Sequence, residues 1–138
     1  MLLAGCAGPR FSPVTAVPSD KAVIYIYRKS ALGGVLGNHH VYANGQPVTS
    51  LYSGSYYPYL AEPGTNYLSS EMVSLAIAIN MSMNAQFKHR VCRIEAEAGK
   101  TYYVKFEIAT SWGPIMTEVD ANTGSRDIRE CNLAKALK

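Results

Sequence analysis

The sequence predicts an all-β protein, a single small β-sandwich of about seven to eight mostly antiparallel strands with a short C-terminal helix. Two observations carry that prediction. From Asp20 onward apolar residues recur with a period of two, and Gly, Pro and Asn clusters punctuate them at short intervals. No helix-period segments alternate with those strands, which argues for stacked sheets rather than a parallel α/β architecture. A length of 138 residues with 48% hydrophobic content is enough for one core and too little for two domains. Charged residues make up 17% and the net charge is +3, which fits neither a disordered chain nor a nucleic-acid binder.

The first strand is Lys21–Arg28, with Ile24 and Ile26 on one face and Val23, Tyr25 and Tyr27 on the other. Both faces are apolar, so it is expected at the centre of a sheet. A glycine-rich loop, residues 32–38, leads into His39–Ala43, which meets Gln46–Tyr52 across Asn44-Gly45. Asn-Gly accepts positive φ at both central positions and marks a tight hairpin. Ser55–Ala61 is the next strand, and Pro58 within it, lacking an N–H, argues for an edge position. Pro63-Gly64-Thr65-Asn66 then turns the chain.

Between Met72 and Gln86 every odd position from Val73 to Ala85 is apolar, which favours a strand, while the Leu, Ala and Met content keeps a short helix in competition. From Val91, residues Cys92, Ile94 and Ala96 are expected inward and Arg93, Glu95 and Glu97 outward. Ala98-Gly99-Lys100 turns into Thr101–Ala109, with Tyr102, Val104, Phe106 and Ile108 on one face. Trp112-Gly113-Pro114 interrupts, Ile115–Asp120 is a short strand, and Asn122-Thr123-Gly124 reads as a turn. Residues 126–137 have the spacing of a short helix docked by Ile128, Cys131 and Leu133 or Ala134.

The N-terminus carries an address. Leu3-Ala4-Gly5-Cys6 resembles a bacterial lipobox, in which Cys6 becomes the lipidated first residue; a frayed apolar end with a free cysteine is the plainer alternative. The expected division is a residual signal peptide over 1–5, a lipidated Pro/Ser tether over 6–20 and the sandwich over 21–138. Only five residues precede Cys6, fewer than a secretory signal needs, so the reading frame is expected to start upstream. With Ala7 rather than Asp after the cysteine, the class implies the periplasmic side of the outer membrane in a Gram-negative envelope, with the membrane as partner through Cys6. In an oxidising compartment Cys92 and Cys131, the two cysteines left, are expected to pair. The chain-entropy model values a bridge closing residues 92–131 at about 4 kcal/mol, and two separate buried thiols are the alternative.

The motifs together are similar to a family of bacterial lipoproteins known as domain of unknown function 2846. The pieces that carry the resemblance are Lys21–Arg28, Val41–Val48 with its Asn44-Gly45 turn, Leu51–Tyr57, Glu62-Pro63-Gly64 and Glu97–Lys105. The same grammar is similar to PEGA or transthyretin-like sandwich modules. The resemblance implies an envelope-anchored β-sandwich with no established catalytic residues.

Residues for chemistry are sparse. His39 and His40 are adjacent and point to opposite faces of a strand, so no metal site is expected, and Gly33–Gly37 lacks the lysine and following helix of a phosphate loop. Glu95 and Glu97 share a face with Arg93, which a solvated surface explains. Neither a catalytic residue nor a cofactor is predicted. Between Lys29 and Lys88 only Glu62 and Glu71 carry charge, and Tyr42, Tyr52, Tyr56, Tyr57, Tyr59 and Tyr67 all lie in that stretch. A charge-poor sheet bearing tyrosines is a plausible contact surface, with Tyr52, Tyr57 and Tyr59 as its candidate binding face. Simple strand preference for tyrosine is the competing explanation. The reading is therefore a lipid-anchored, non-catalytic envelope module contacting another envelope protein. Cell-wall glycan (peptidoglycan) binding is the first alternative and a small periplasmic enzyme the second; no nucleic-acid partner is expected.

Overall fold

The computed structural model describes residues 8–30, 37–70, 91–109 and 113–137. Among them the strands are β1 (Ala22–Arg28), β2 (His39–Ala43), β3 (Gln46–Leu51), β4 (Ser55–Ala61), β5 (Gly64–Ser70), β6 (Cys92–Ala96), β7 (Thr101–Ala109), β8 (Gly113–Val119) and β9 (Asn132–Leu133). They form two sheets, one ordered β8-β7-β1-β4-β9 and the other β3-β2-β5-β6. The fold is the expected small β-sandwich. The segment 72–86, Cys6 and Trp112 lie outside the described residues.

β1 is central, as its two apolar faces require. It pairs antiparallel with β4, Tyr25 facing Pro58, and parallel with β7, Tyr25 facing Tyr103. All seven of its residues are buried. Ala22, Ile24 and Ile26 face the core between the sheets, together with Val41, Ala43, Leu51, Leu68, Ile94, Val104, Phe106 and Met116. Val23, Tyr25 and Tyr27 face the other way, into a second cluster with Tyr56, Ile128 and Cys131.

What covers that second face departs from the sequence reading. Residues from Gly8 onward, expected to be a free tether, are packed onto the five-stranded sheet. Phe11 stands edge-on to Tyr25 and Tyr56, with ring centroids 5.3 and 5.0 Å away. Val14 and Val17 pack beside it. The Tyr25 hydroxyl accepts from the Val14 N–H at 2.9 Å. Apolar residues spaced through a Pro/Ser stretch let an extended segment bury one side without needing a ladder of its own.

The Asn44-Gly45 hairpin forms as expected, with φ of 52° and 82°, both in the left-handed region a type I′ turn requires. The Asn44 side chain also accepts from the Tyr67 N–H at 2.9 Å and donates to Asn66 Oδ1 at 3.0 Å, locking β2 to β5. Pro58 sits where β4 has an open edge, because β9 pairs only with Ser55 and Tyr56. At Glu62-Pro63 the chain leaves one sheet and enters the other, pinned by a Lys21–Glu62 ion pair.

The C-terminal region contains a helix, but it starts earlier than its docking residues suggest. α1 spans Ala121–Asp127, capped by Asp120, whose carboxylate accepts from the Thr123 N–H at 2.8 Å. One 3₁₀ turn, Ile128–Glu130, follows. Gly124, read as a turn residue, is instead where the helix meets β7; a Cβ there would lie 2.3 Å from the Tyr103 ring. Ile128, Cys131 and Ala134 are buried as expected, from a helix end and an extended tail.

That tail closes the sandwich. It runs beside β4, where Ala134 N–H donates to Tyr56 O, and reaches β3, where Leu137 N–H donates to Val48 O at 3.0 Å and Thr49 Oγ1 to Lys135 O at 2.8 Å. On its other side Pro9–Phe11 adds a further extended segment, through Leu133 N–H to Pro9 O and Phe11 N–H to Cys131 O.

Candidate functional site

Among the described residues the most exposed aromatic ring lies on the four-stranded sheet, away from the expected residues. On β5, Asn66 and Leu68 point inward and Thr65 and Tyr67 outward; Tyr67 is 47% exposed. β6 pairs with β5 so that Arg93 lies opposite Tyr67 and Glu95 opposite Thr65. These four side chains form one polar-aromatic patch. Arg93 Nε donates to Glu95 Oε1 at 2.8 Å, and Thr65 Oγ1 donates to the same carboxylate at 2.9 Å. The Thr65 hydroxyl first, and the Arg93 guanidinium with it, hold the Glu95 carboxyl below its usual range. Arg93, paired with Glu95 and itself exposed, stands across the strand pair from the Tyr67 ring.

Tyr52, Tyr57 and Tyr59 do not form an outward face. Along β4 the residues on the side of Tyr57 and Tyr59 lead to Ala61 in the core, and Tyr59 itself packs against that core. Tyr52 packs there too, its hydroxyl 3.4 Å from Leu133 O. The period-two pattern of β4 does not say which phase faces in, and with Tyr56 buried on the opposite side both phases are partly covered. Arg93 was expected outward with Glu95 from the β6 alternation, as found; Tyr67 was one of six tyrosines in the charge-poor stretch, and its exposure was not singled out.

The two described cysteines are free thiols, so the expected Cys92–Cys131 bridge is absent. The reason is architectural: Cys92 faces the core between the sheets and Cys131 the cluster on the far side of the five-stranded sheet. The thickness of a sheet separates them, more than disulfide geometry spans. Burial first, then Glu118, pushes the Cys92 thiol up to about 11. Burial and Asp127 push Cys131 to about 11 as well. These are packing residues rather than nucleophiles.

Two buried polar side chains, Tyr27 and Arg28, serve structural ends. Tyr27 is fully buried and donates to Asp127 Oδ2 at 2.8 Å, fastening α1 to β1. Arg28 donates to Gly37 O at 2.9 Å and Leu51 O at 3.2 Å and lies over Phe106, tying loop ends at one end of the sandwich. Burial lowers its pKa. His39 lies against Phe106 with centroids 5.6 Å apart, while His40 follows on the opposite strand face. Among the described residues no group of three or more His, Cys, Asp or Glu side chains converges on a point where a metal ion would sit. Nor, among them, is any helix long and apolar enough to cross a membrane.

Comparison with known proteins agrees with the motif resemblance. Residues 18–121 match the family described as Protein of unknown function (DUF2846). No curated protein and no solved structure matches the chain.

Proposed function

We propose, from the premise that this chain belongs to the DUF2846 family of proteins of unknown function, that it is a non-catalytic module, lipid-anchored in the bacterial envelope through Cys6, that binds another envelope protein. The observation that carries the reading is the patch of Tyr67, Arg93, Glu95 and Thr65. An exposed tyrosine beside a carboxylate-paired arginine is the residue chemistry that dominates protein contact surfaces. The charge there is balanced within the patch, so affinity rests on ring contact and directed hydrogen bonds rather than on net charge.

The test is crosslinking in cells that carry the Cys6-intact protein, followed by mass spectrometry, with Tyr67→Ser and Arg93→Ala compared with the parent. Each substitution is at an exposed position and is expected to leave the fold intact while reducing capture of a specific protein at least several-fold. Unchanged capture by both folded variants removes the patch from the interface. Recovery of muropeptides in place of a protein assigns the same tyrosine to sugar-ring stacking.

A further inference from the structure

Resting on the anchoring at Cys6 proposed above, we infer that the flank formed by β4, β9 and β3 lies directly against the bilayer, so that the Tyr67 patch, on the outer face of the four-stranded sheet, sits toward the edge farther from the lipid. The first step is chain length. Gly8 is already fixed against Leu133, close enough that a Cβ on it would lie 2.2 Å from Leu133 O. Only Ala7 lies between Gly8 and Cys6, and two residues of fully extended chain span at most about 7 Å. An acyl group on Cys6 therefore enters the membrane beside β9, with no flexible arm to let the domain stand off.

The second step is the direction of that flank. Pro9–Phe11 runs antiparallel to β9, and β9 runs parallel to β4. Moving from Pro9 back toward Cys6, the chain therefore heads along the half of β4 that β9 leaves open. That half carries half-buried Pro58 and an exposed Leu60, 41% accessible, on the face turned away from the inter-sheet core, while Tyr57 and Tyr59 point toward that core. Arg10 and Lys135 are exposed nearby. An exposed leucine flanked by cations matches the boundary between headgroups and acyl chains. Proline at an edge strand also removes one N–H that would otherwise lack a partner.

The third step places the contact patch. β3 packs against β4, whereas β5 and β6 pack against β8, at the far edge of the five-stranded sheet. Four strand spacings separate β9 from β8, about 19 Å. Tyr67 and Arg93, on β5 and β6, thus sit on the outer face of the four-stranded sheet, toward the edge farther from the lipid.

The experiment attaches the lipid chemically, so that it reads geometry whether or not cells acylate Cys6. The full chain is coupled through Cys6 to a maleimide-headgroup phospholipid in vesicles of brominated phosphatidylcholine; Cys92 and Cys131 are buried and do not compete. In a Trp112→Phe background, Leu60→Trp and Tyr67→Trp serve as depth reporters, with Lys135→Trp as a second reporter on the β4 flank. Emission from residue 60 or 135 is expected to fall about twofold against non-brominated vesicles, with residue 67 unchanged. A Gly/Ser spacer inserted between Ala7 and Gly8 is expected to abolish the difference. Equal quenching at 60 and 67, or quenching at neither 60 nor 135, overturns the orientation. The intact mass of the cell-produced protein scores acylation separately, so the anchoring and the orientation fail in different measurements.

Discussion

Tyr27 shows how a single buried hydroxyl couples the fold to pH. Burial first, and the hydrogen bond to Asp127 second, push its phenol far above the ordinary range. A group whose folded pKa is raised contributes its full stabilisation below the unfolded pKa and loses it as pH rises beyond that value. The two thiols act in the same direction, each moved from 9.0 to about 11. Stability is therefore expected to be flat near neutrality and to fall between pH 9 and 11, read as the denaturant midpoint across that range. Tyr27→Phe, which strands the Asp127 carboxylate from its shortest partner, is expected to cost about 2 kcal/mol at pH 7. Thiol titration supplies a companion check on the cysteines. Cys92 and Cys131 should be unreactive in the native protein and both titrate after denaturation without reductant. Sequence showed that two cysteines were left over; the sheet between them was not visible there, because which face of a strand looks inward is decided by what packs on it.

At the scale of elements, most strands were legible because their signals are local. β6 and β7 alternate as read, Cys92, Ile94 and Ala96 inward and Tyr102, Val104, Phe106 and Ile108 toward the core. Asn44-Gly45 fixes its own turn. The helix was misplaced for an equally physical reason. Asn122-Thr123-Gly124 has the composition of a turn, and only the Asp120 cap and the fit against Tyr103 make it helical. That fit reverses an ordinary expectation. Gly→Ala within a helix normally stabilises by about 1 kcal/mol. At Gly124 the added methyl meets the Tyr103 ring, so Gly124→Ala is expected to destabilise by about 1–3 kcal/mol. Equilibrium unfolding of the variant decides the sign, and in a double-mutant cycle Gly124→Ala should cost less in a Tyr103→Ala background than in the parent.

For the molecule as a whole, the decisive feature is that the segments from Gly8 and from Asn132 lie side by side along the β4 edge of the five-stranded sheet. The N-terminal segment was read as a tether because Pro and Ser dominate it, while the three apolar residues that dock it, Phe11, Val14 and Val17, are too few to form a periodic pattern. The contact patch was hidden similarly, since Tyr67 and Arg93 become neighbours only through the β5–β6 register. Phe11→Ala is expected to lower global stability by about 2 kcal/mol, more than an unstructured linker residue would, measured as a single cooperative shift in thermal unfolding.

The strap of residues 132–137 also bears on the order of assembly. β1 finds its parallel partner in β7, and the seam between β4 and β3 stays open until the strap is laid across it. Such pairings are distant in sequence, which makes folding slow relative to helical domains of similar size. A truncation near Glu130 would take Ala134 out of the core and Cys131 out of the second cluster and would unpair β4 at Ser55 and Tyr56, opening that seam to proteolysis although every strand from β1 to β8 had been synthesised.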